Sequence, residues 1–177
     1  MIMNPVALGF VTGLMIAVIL LVFIFKYVNK DHKLKTEYDE RQKAVRGKAY
    51  KYAFYTELAA QAVVMWLLMA EIELPIENYA LLFTAMMVGC TVLAVYCVWN
   101  DVYWGLNSNR KRYNGILIAA VILNALPVVA NAMAGTLTEN GKIGMPLLNI
   151  VVLVMMAIIF VEFLIKKGWD EKADEEV

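Results

Sequence analysis

Apolar positions along this chain do not alternate with polar ones; they run. Residues 1–25, 78–100, 113–138 and 143–161 contain no Asp, Glu, Lys or Arg, in stretches of 25, 23, 26 and 19 residues. A hydrocarbon core about 30 Å thick takes roughly 20 helical residues to cross, so each stretch is long enough. A fifth stretch, 52–70, is interrupted only by Glu57. Helices are the open-ended solution in lipid because each bonds its own backbone, and a barrel would need the alternation that is missing here. The pattern predicts an all-α integral membrane protein, one domain over 1–177. Its five transmembrane helices fall at about 6–27, 52–71, 79–100, 114–135 and 145–165. The first run is too long for a signal-peptide core, lacks a basic n-region and is followed by Lys26 and Tyr27, so it reads as an uncleaved span.

Composition agrees. The 177 residues are 62% hydrophobic and 18% charged, with a mean hydropathy of +0.63. Soluble domains carry about 25% charge, so an ordinary soluble domain is excluded. The formal net charge of zero hides a strong asymmetry. Fifteen of the 16 Lys and Arg fall in 26–51, in 101–113 or in the C-terminal tail. The remaining connections hold Lys142 with Glu71, Glu73, Glu77 and Glu139. The positive-inside rule then places the N-terminus outside and the C-terminus in the cytoplasm. That orientation needs an odd number of spans, as five is. Tyr27, Tyr50, Tyr52, Tyr55, Tyr96, Trp99, Tyr103, Trp104, Tyr113 and Trp169 lie near the expected inner helix ends, as an interfacial belt requires.

The segment 28–51 is the one sizeable polar stretch. Thr36 has the side chain of a helix N-cap, with Glu37, Asp39 and Glu40 in the first turn that follows. Glu37 with Arg41 and Asp39 with Lys43 are favourably ordered i,i+4 pairs. A cytoplasmic helix over about 36–51, leading into the second span and bent near Gly47, is the expectation. Its Lys43, Arg46, Lys48 and Lys51 form a basic face suited either to anionic headgroups or to a cytoplasmic partner.

Two strings stand out: Asp39-Glu40-Arg41-Gln42 followed by Arg46-Gly47, and Asn100-Asp101-Val102-Tyr103-Trp104-Gly105-Leu106-Asn107. Together they resemble the DERQ…RG signature, and a second short motif, of a group of small membrane proteins. These proteins occur mostly in Gram-positive bacteria and are classed as a domain of unknown function. The resemblance covers roughly 37–113 and implies an integral membrane protein without an assigned activity, catalytic residue or cofactor. It makes Asp39, Glu40, Arg41, Gln42, Arg46, Gly47, Asp101 and Tyr103 the candidate partner-contact residues.

Polar groups inside the spans are costly and therefore informative. Glu57 and Gln61 share a helix face; Asp101, Arg110 and Arg112 are expected near the same level, with either arginine a candidate to pair with Glu57 in a structural ion pair. Asn124 and Asn131 flank Pro127 on the fourth span, two turns apart, as interhelical glue or as the lining of a polar path. Gly9 and Gly13 form a GxxxG helix-packing face on the first span, and Ala85 with Gly89 a weaker one on the third. Cys90 and Cys97 read as packing residues. His32 is the only histidine and Ser108 the only serine, so neither a zinc cluster nor a hydrolytic triad is expected.

These readings lead to a non-enzymatic multi-pass membrane protein acting through association, as an accessory or regulatory subunit or as a homo-oligomer. No cofactor, metal or nucleic acid is expected. The expected partners are membrane lipids and either further copies of the chain or another membrane protein. The alternative is a small oligomeric transporter or channel whose polar path runs through Glu57, Gln61, Asn124 and Asn131.

Overall fold

The computed structural model describes residues 5–175. In chain order these form α1 (Pro5–Val28), α2 (Glu40–Met69), α3 (Asn78–Trp99), α4 (Arg110–Ala134), the short strands β1 (Thr138–Glu139) and β2 (Lys142–Ile143), and α5 (Met145–Glu175). All five helices are long and apolar enough to cross a membrane. Their lengths of 24, 30, 22, 25 and 31 residues exceed the predicted spans mainly at α2 and α5, which continue past their apolar portions. The side chains of the acidic stretch 174–176, and Met1–Asn4, lie outside the described residues.

The chain divides into two compact units: Met1–Asp39 with Trp104–Ile116, and Glu40–Tyr103 with Leu117–Val177. In the second unit α3 packs on both α2 and α5. Gln61 Nε2 donates to the Leu82 carbonyl at one level and Arg41 Nη2 to the Asn100 carbonyl at another, so α2 and α3 run antiparallel. Lys166 reaches the Trp99 carbonyl, and Glu77 N donates to the Ile143 carbonyl, so α3 and α5 run parallel.

Small residues let α2 and α3 approach. Ala49 and Ala53 of α2 and Ala80, Ala85 and Gly89 of α3 are buried. A Cβ added at Gly89 would lie 2.8 Å from Glu57 Cβ and 3.2 Å from the Ala53 carbonyl oxygen. In lipid, where apolar burial between helices contributes little, such close backbone contact is what holds spans together. The weaker small-residue face of the sequence is thus the one in use. Gly9 and Gly13 have open space over their Cβ positions. The helix termini follow local chemistry. Glu71, Asp101 and Gly135 sit at φ of 53°, 60° and 68° just past α2, α3 and α4. Ile72, Val102 and Thr136 donate back to Leu67, Cys97 and Asn131, the six-to-one bond of a Schellman cap. Asn140-Gly141, both at positive φ, close the β1–β2 hairpin.

The helix expected over 36–51 starts later than predicted. Residues 36–39 are not helical, and α2 begins at Glu40. Thr36 is therefore no N-cap, and α2 is one continuous helix through Gly47. The reason is tertiary: Glu37 N donates to Asn107 Oδ1 at 2.9 Å, and the Glu37 carbonyl accepts from Leu106 N at 2.8 Å. Backbone groups that would have opened a helix are satisfied by a distant loop instead. Glu37 pairs with Lys33 rather than Arg41, and Lys43 with Glu40 at i,i+3.

Candidate functional site

The last carbonyls of a helix have no partners within it and carry the negative end of its dipole. At the end of α3 and in the turn that follows it, three cations from two other helices meet backbone carbonyls. Arg41 Nη2 donates to the Asn100 carbonyl at 3.2 Å, Arg46 Nη1 to the Val102 carbonyl at 3.0 Å, and Lys166 Nζ to the Trp99 carbonyl at 2.9 Å. Lys166 also pairs with Asp101 at 2.6 Å. Arg46 further donates to Tyr50 Oη at 3.2 Å and lies against the tyrosine ring, 5.7 Å from its centroid. Beneath this cap Ala49, Cys97 and Val102 form a small buried core, with Val45, Leu93, Tyr96 and Tyr103 packed around it. Tyr103 meets Phe163 of α5 edge to face at 5.3 Å.

The two strings singled out in the sequence therefore come together, but in a manner that differs from a free docking surface. Arg41 and Arg46 are committed to the end of α3, Gln42 is buried, and Tyr103 packs within the unit. Glu40 and Gly47 remain exposed, and Asp101 is exposed while paired. Asp39, also exposed, belongs to the other unit.

That other unit holds a second junction, centred on Asn107. Its Nδ2 donates to both Asp31 carboxylate oxygens at 3.1 and 3.2 Å and to the Lys35 carbonyl at 3.1 Å, its Oδ1 accepts from Glu37 N, and its carbonyl accepts from Lys30 N at 2.7 Å. Gly105 allows the approach: a Cβ there would overlap the Thr36 methyl and lie 2.9 Å from the Glu37 carbonyl oxygen. Desolvation at this junction pushes the Asp31 carboxyl up. Hydrogen bonds from Lys33 N and the Asn107 amide, with the Lys33 charge, outweigh it and hold the group below its ordinary value. Asn29 is buried beside it and donates to the Lys33 carbonyl.

The intramembrane polar residues are not assembled as predicted. Glu57 lies over Gly89 and forms no ion pair among the described residues. Arg112 donates to the Tyr27 carbonyl and Arg110 stacks on Trp104, so neither arginine serves Glu57, and Asp101 pairs with Lys166. Asn124 and Asn131 donate to the carbonyls of Ala120 and Pro127, four residues back in their own helix, rather than to another span. A carboxamide in lipid without a neighbouring acceptor satisfies itself this way. Both cysteines are free, Cys97 in the core and Cys90 exposed.

Two groups escaped the sequence reading. Lys166 looked like one more basic residue of the tail, although it directly follows the predicted span end at residue 165. Glu162 falls inside the predicted fifth span, just beyond the charge-free run that defined it. Its Oε2 is shielded and has no hydrogen-bond partner among the described residues.

No family model, curated protein or solved structure matches the chain. Its function must be argued from its own residues.

Proposed function

We propose that this is a non-enzymatic multi-pass protein of a bacterial cytoplasmic membrane, N-terminus outside and C-terminus inside, that acts by association. It belongs, on this reading, with the small DERQ…RG membrane proteins it resembles, and works as an accessory or regulatory subunit or as a homo-oligomer. The observation that carries the reading is uneven packing. α3 packs against both α2 and α5, whereas α4 has no buried residue and α1 has none between Val11 and Phe25. Lipid can cover such faces. α1, however, also presents Gly9 and Gly13 with open space above them, a surface on which another helix backbone fits closely.

The test is purification of the tagged protein from native membranes in mild detergent, with mass spectrometry of what accompanies it and light scattering for its mass. The expected result is a stoichiometric partner or a defined oligomer that is lost in Gly9→Leu/Gly13→Leu. A bare monomer, unchanged by the double variant, would overturn the reading. Arg41 and Arg46 are unsuitable probes, because removing them uncaps α3.

One observation favours the transport alternative: Glu57 is a carboxylate within a span without an ion pair, which in membrane proteins commonly marks an ion or substrate pathway. Flux across liposomes that depends on Glu57, and fails in Glu57→Gln, would replace the first reading by this one.

A further inference from the structure

We propose that the basic and aromatic patch at the end of α1 and the start of α4 binds the headgroup of an anionic phospholipid. The inference goes beyond the association reading and does not depend on it. The first turn of α4 holds Arg110, Lys111 and Arg112 and no acid. Three cations there oppose the positive end of the helix dipole and one another, an arrangement that costs stability unless an anion joins it. The protein supplies none: Arg110, Lys111 and Arg112 form no ion pair among the described residues. Nearby carboxylates are engaged elsewhere, Asp31 with Asn107 and Lys33, and Glu37 with Lys33.

What holds the two arginines is instead aromatic. The Arg110 guanidinium lies 5.9 Å from the Trp104 ring centroid and that of Arg112 lies 5.3 Å from the Tyr27 ring, with Arg112 Nη1 donating to the Tyr27 carbonyl. Stacked guanidiniums are fixed in place while most of their N–H donors stay available for a phosphate oxygen. Lys26, in the last turn of α1, adds a further charge.

Position decides the kind of anion. Tyr27 closes one apolar span and Tyr113, edge to face with Trp104 at 5.0 Å, opens another, so the cations stand within one turn of hydrocarbon. Tyrosine and tryptophan rings favour that depth, and the anion at that depth is a lipid phosphate. The preferred partner is a phosphodiester lipid without a compensating amine.

Full-length protein, stripped of lipid in detergent, is titrated with phosphatidylglycerol or phosphatidylcholine and read by native mass spectrometry. Phosphatidylglycerol is expected to bind at least about ten-fold more tightly, and less so as salt rises. Lys111 is exposed and forms no hydrogen bond or ion pair among the described residues, so Lys111→Gln should leave the fold intact. It should weaken phosphatidylglycerol about five-fold, the equivalent of about 1 kcal/mol per basic residue. Arg110→Gln/Arg112→Gln should weaken it further, and Lys48→Gln/Lys51→Gln, which removes the same charge from α2, should not. Equal binding of phosphatidylcholine overturns the proposal. So does an equal loss in the α2 pair, which would mean general attraction, or displacement of the lipid by equimolar inorganic phosphate, which would mean a soluble anion site.

Discussion

Replacing Gly89 by alanine adds one methyl group at the tightest point between α2 and α3. The new Cβ would stand 2.8 Å from Glu57 Cβ and 3.2 Å from the Ala53 carbonyl oxygen, whereas carbon atoms rest at about 3.5–4.0 Å. Neither obstacle can rotate aside, one being backbone and the other a Cβ fixed by its backbone, so the helices must separate by close to an ångström. Overpacking of this kind costs about 1–3 kcal/mol. Alanine returns up to about 1 kcal/mol of helix propensity. The net expectation is a loss of about 1–2 kcal/mol, or roughly 5–30-fold in the unfolding equilibrium.

Reversible unfolding in mixed micelles by steric trapping measures this difference directly. Gly13→Ala is the control, because nothing lies within 4 Å of its Cβ position and the change should be neutral or stabilising. Glu57→Gly removes the nearer obstacle and should restore part of the loss in a double variant, giving a coupling of opposite sign to the single effects. If Gly89→Ala and Gly13→Ala behave alike, α2 and α3 do not meet at Gly89 and the packing argument fails.

Three further outcomes are expected. Arg46→Met should cost about 1.5–3 kcal/mol in the same assay, because the Val102 carbonyl and Tyr50 lose a charged donor; Arg46→Lys should recover little, since one ammonium replaces a two-armed fork. Lys166→Met should destabilise more than Asp101→Gly: Lys166 is 11% exposed and caps Trp99, whereas Asp101 is 68% exposed, so its ion pair contributes about 0–1 kcal/mol and glycine also relieves the positive φ. The Asp31 carboxyl titrates below its ordinary value when folded, so its contribution is complete above that value and is lost as pH falls through the lowered one. Hydrogen exchange at Lys33 N and Glu37 N, corrected for its intrinsic pH dependence, should therefore rise in acid, and Asn107→Ala should flatten that response.

The five spans were legible because run length against bilayer thickness is a one-dimensional measurement. What the sequence could not show was partner choice. Thr36 with three acids behind it is a sound helix start by local rules, yet those rules do not include Asn107, some 70 residues away, which takes Glu37 N for itself. Gly9 and Gly13 match the packing motif better than Ala85 and Gly89, but a glycine packs only where another backbone arrives, and within the chain one arrives at Gly89. Asn124 and Asn131 looked like links between helices because their amides need acceptors; an acceptor four residues back suffices.

Arg41 and Arg46 carry the same lesson into function. Two arginines five residues apart beside anionic lipid suggest a docking face. The end of α3 offers a different reason for the spacing: the Asn100 and Val102 carbonyls point out of the Schellman turn, and the two guanidiniums reach one each. A helix end near lipid has little water to solvate its carbonyls, so charged donors from neighbouring helices are the available substitute. The two motif arginines thus have a physical purpose inside the chain that is sufficient to require them there. Surfaces for a partner are better sought where the chain leaves helices uncovered, on α1 and α4, than at the motif that first drew attention.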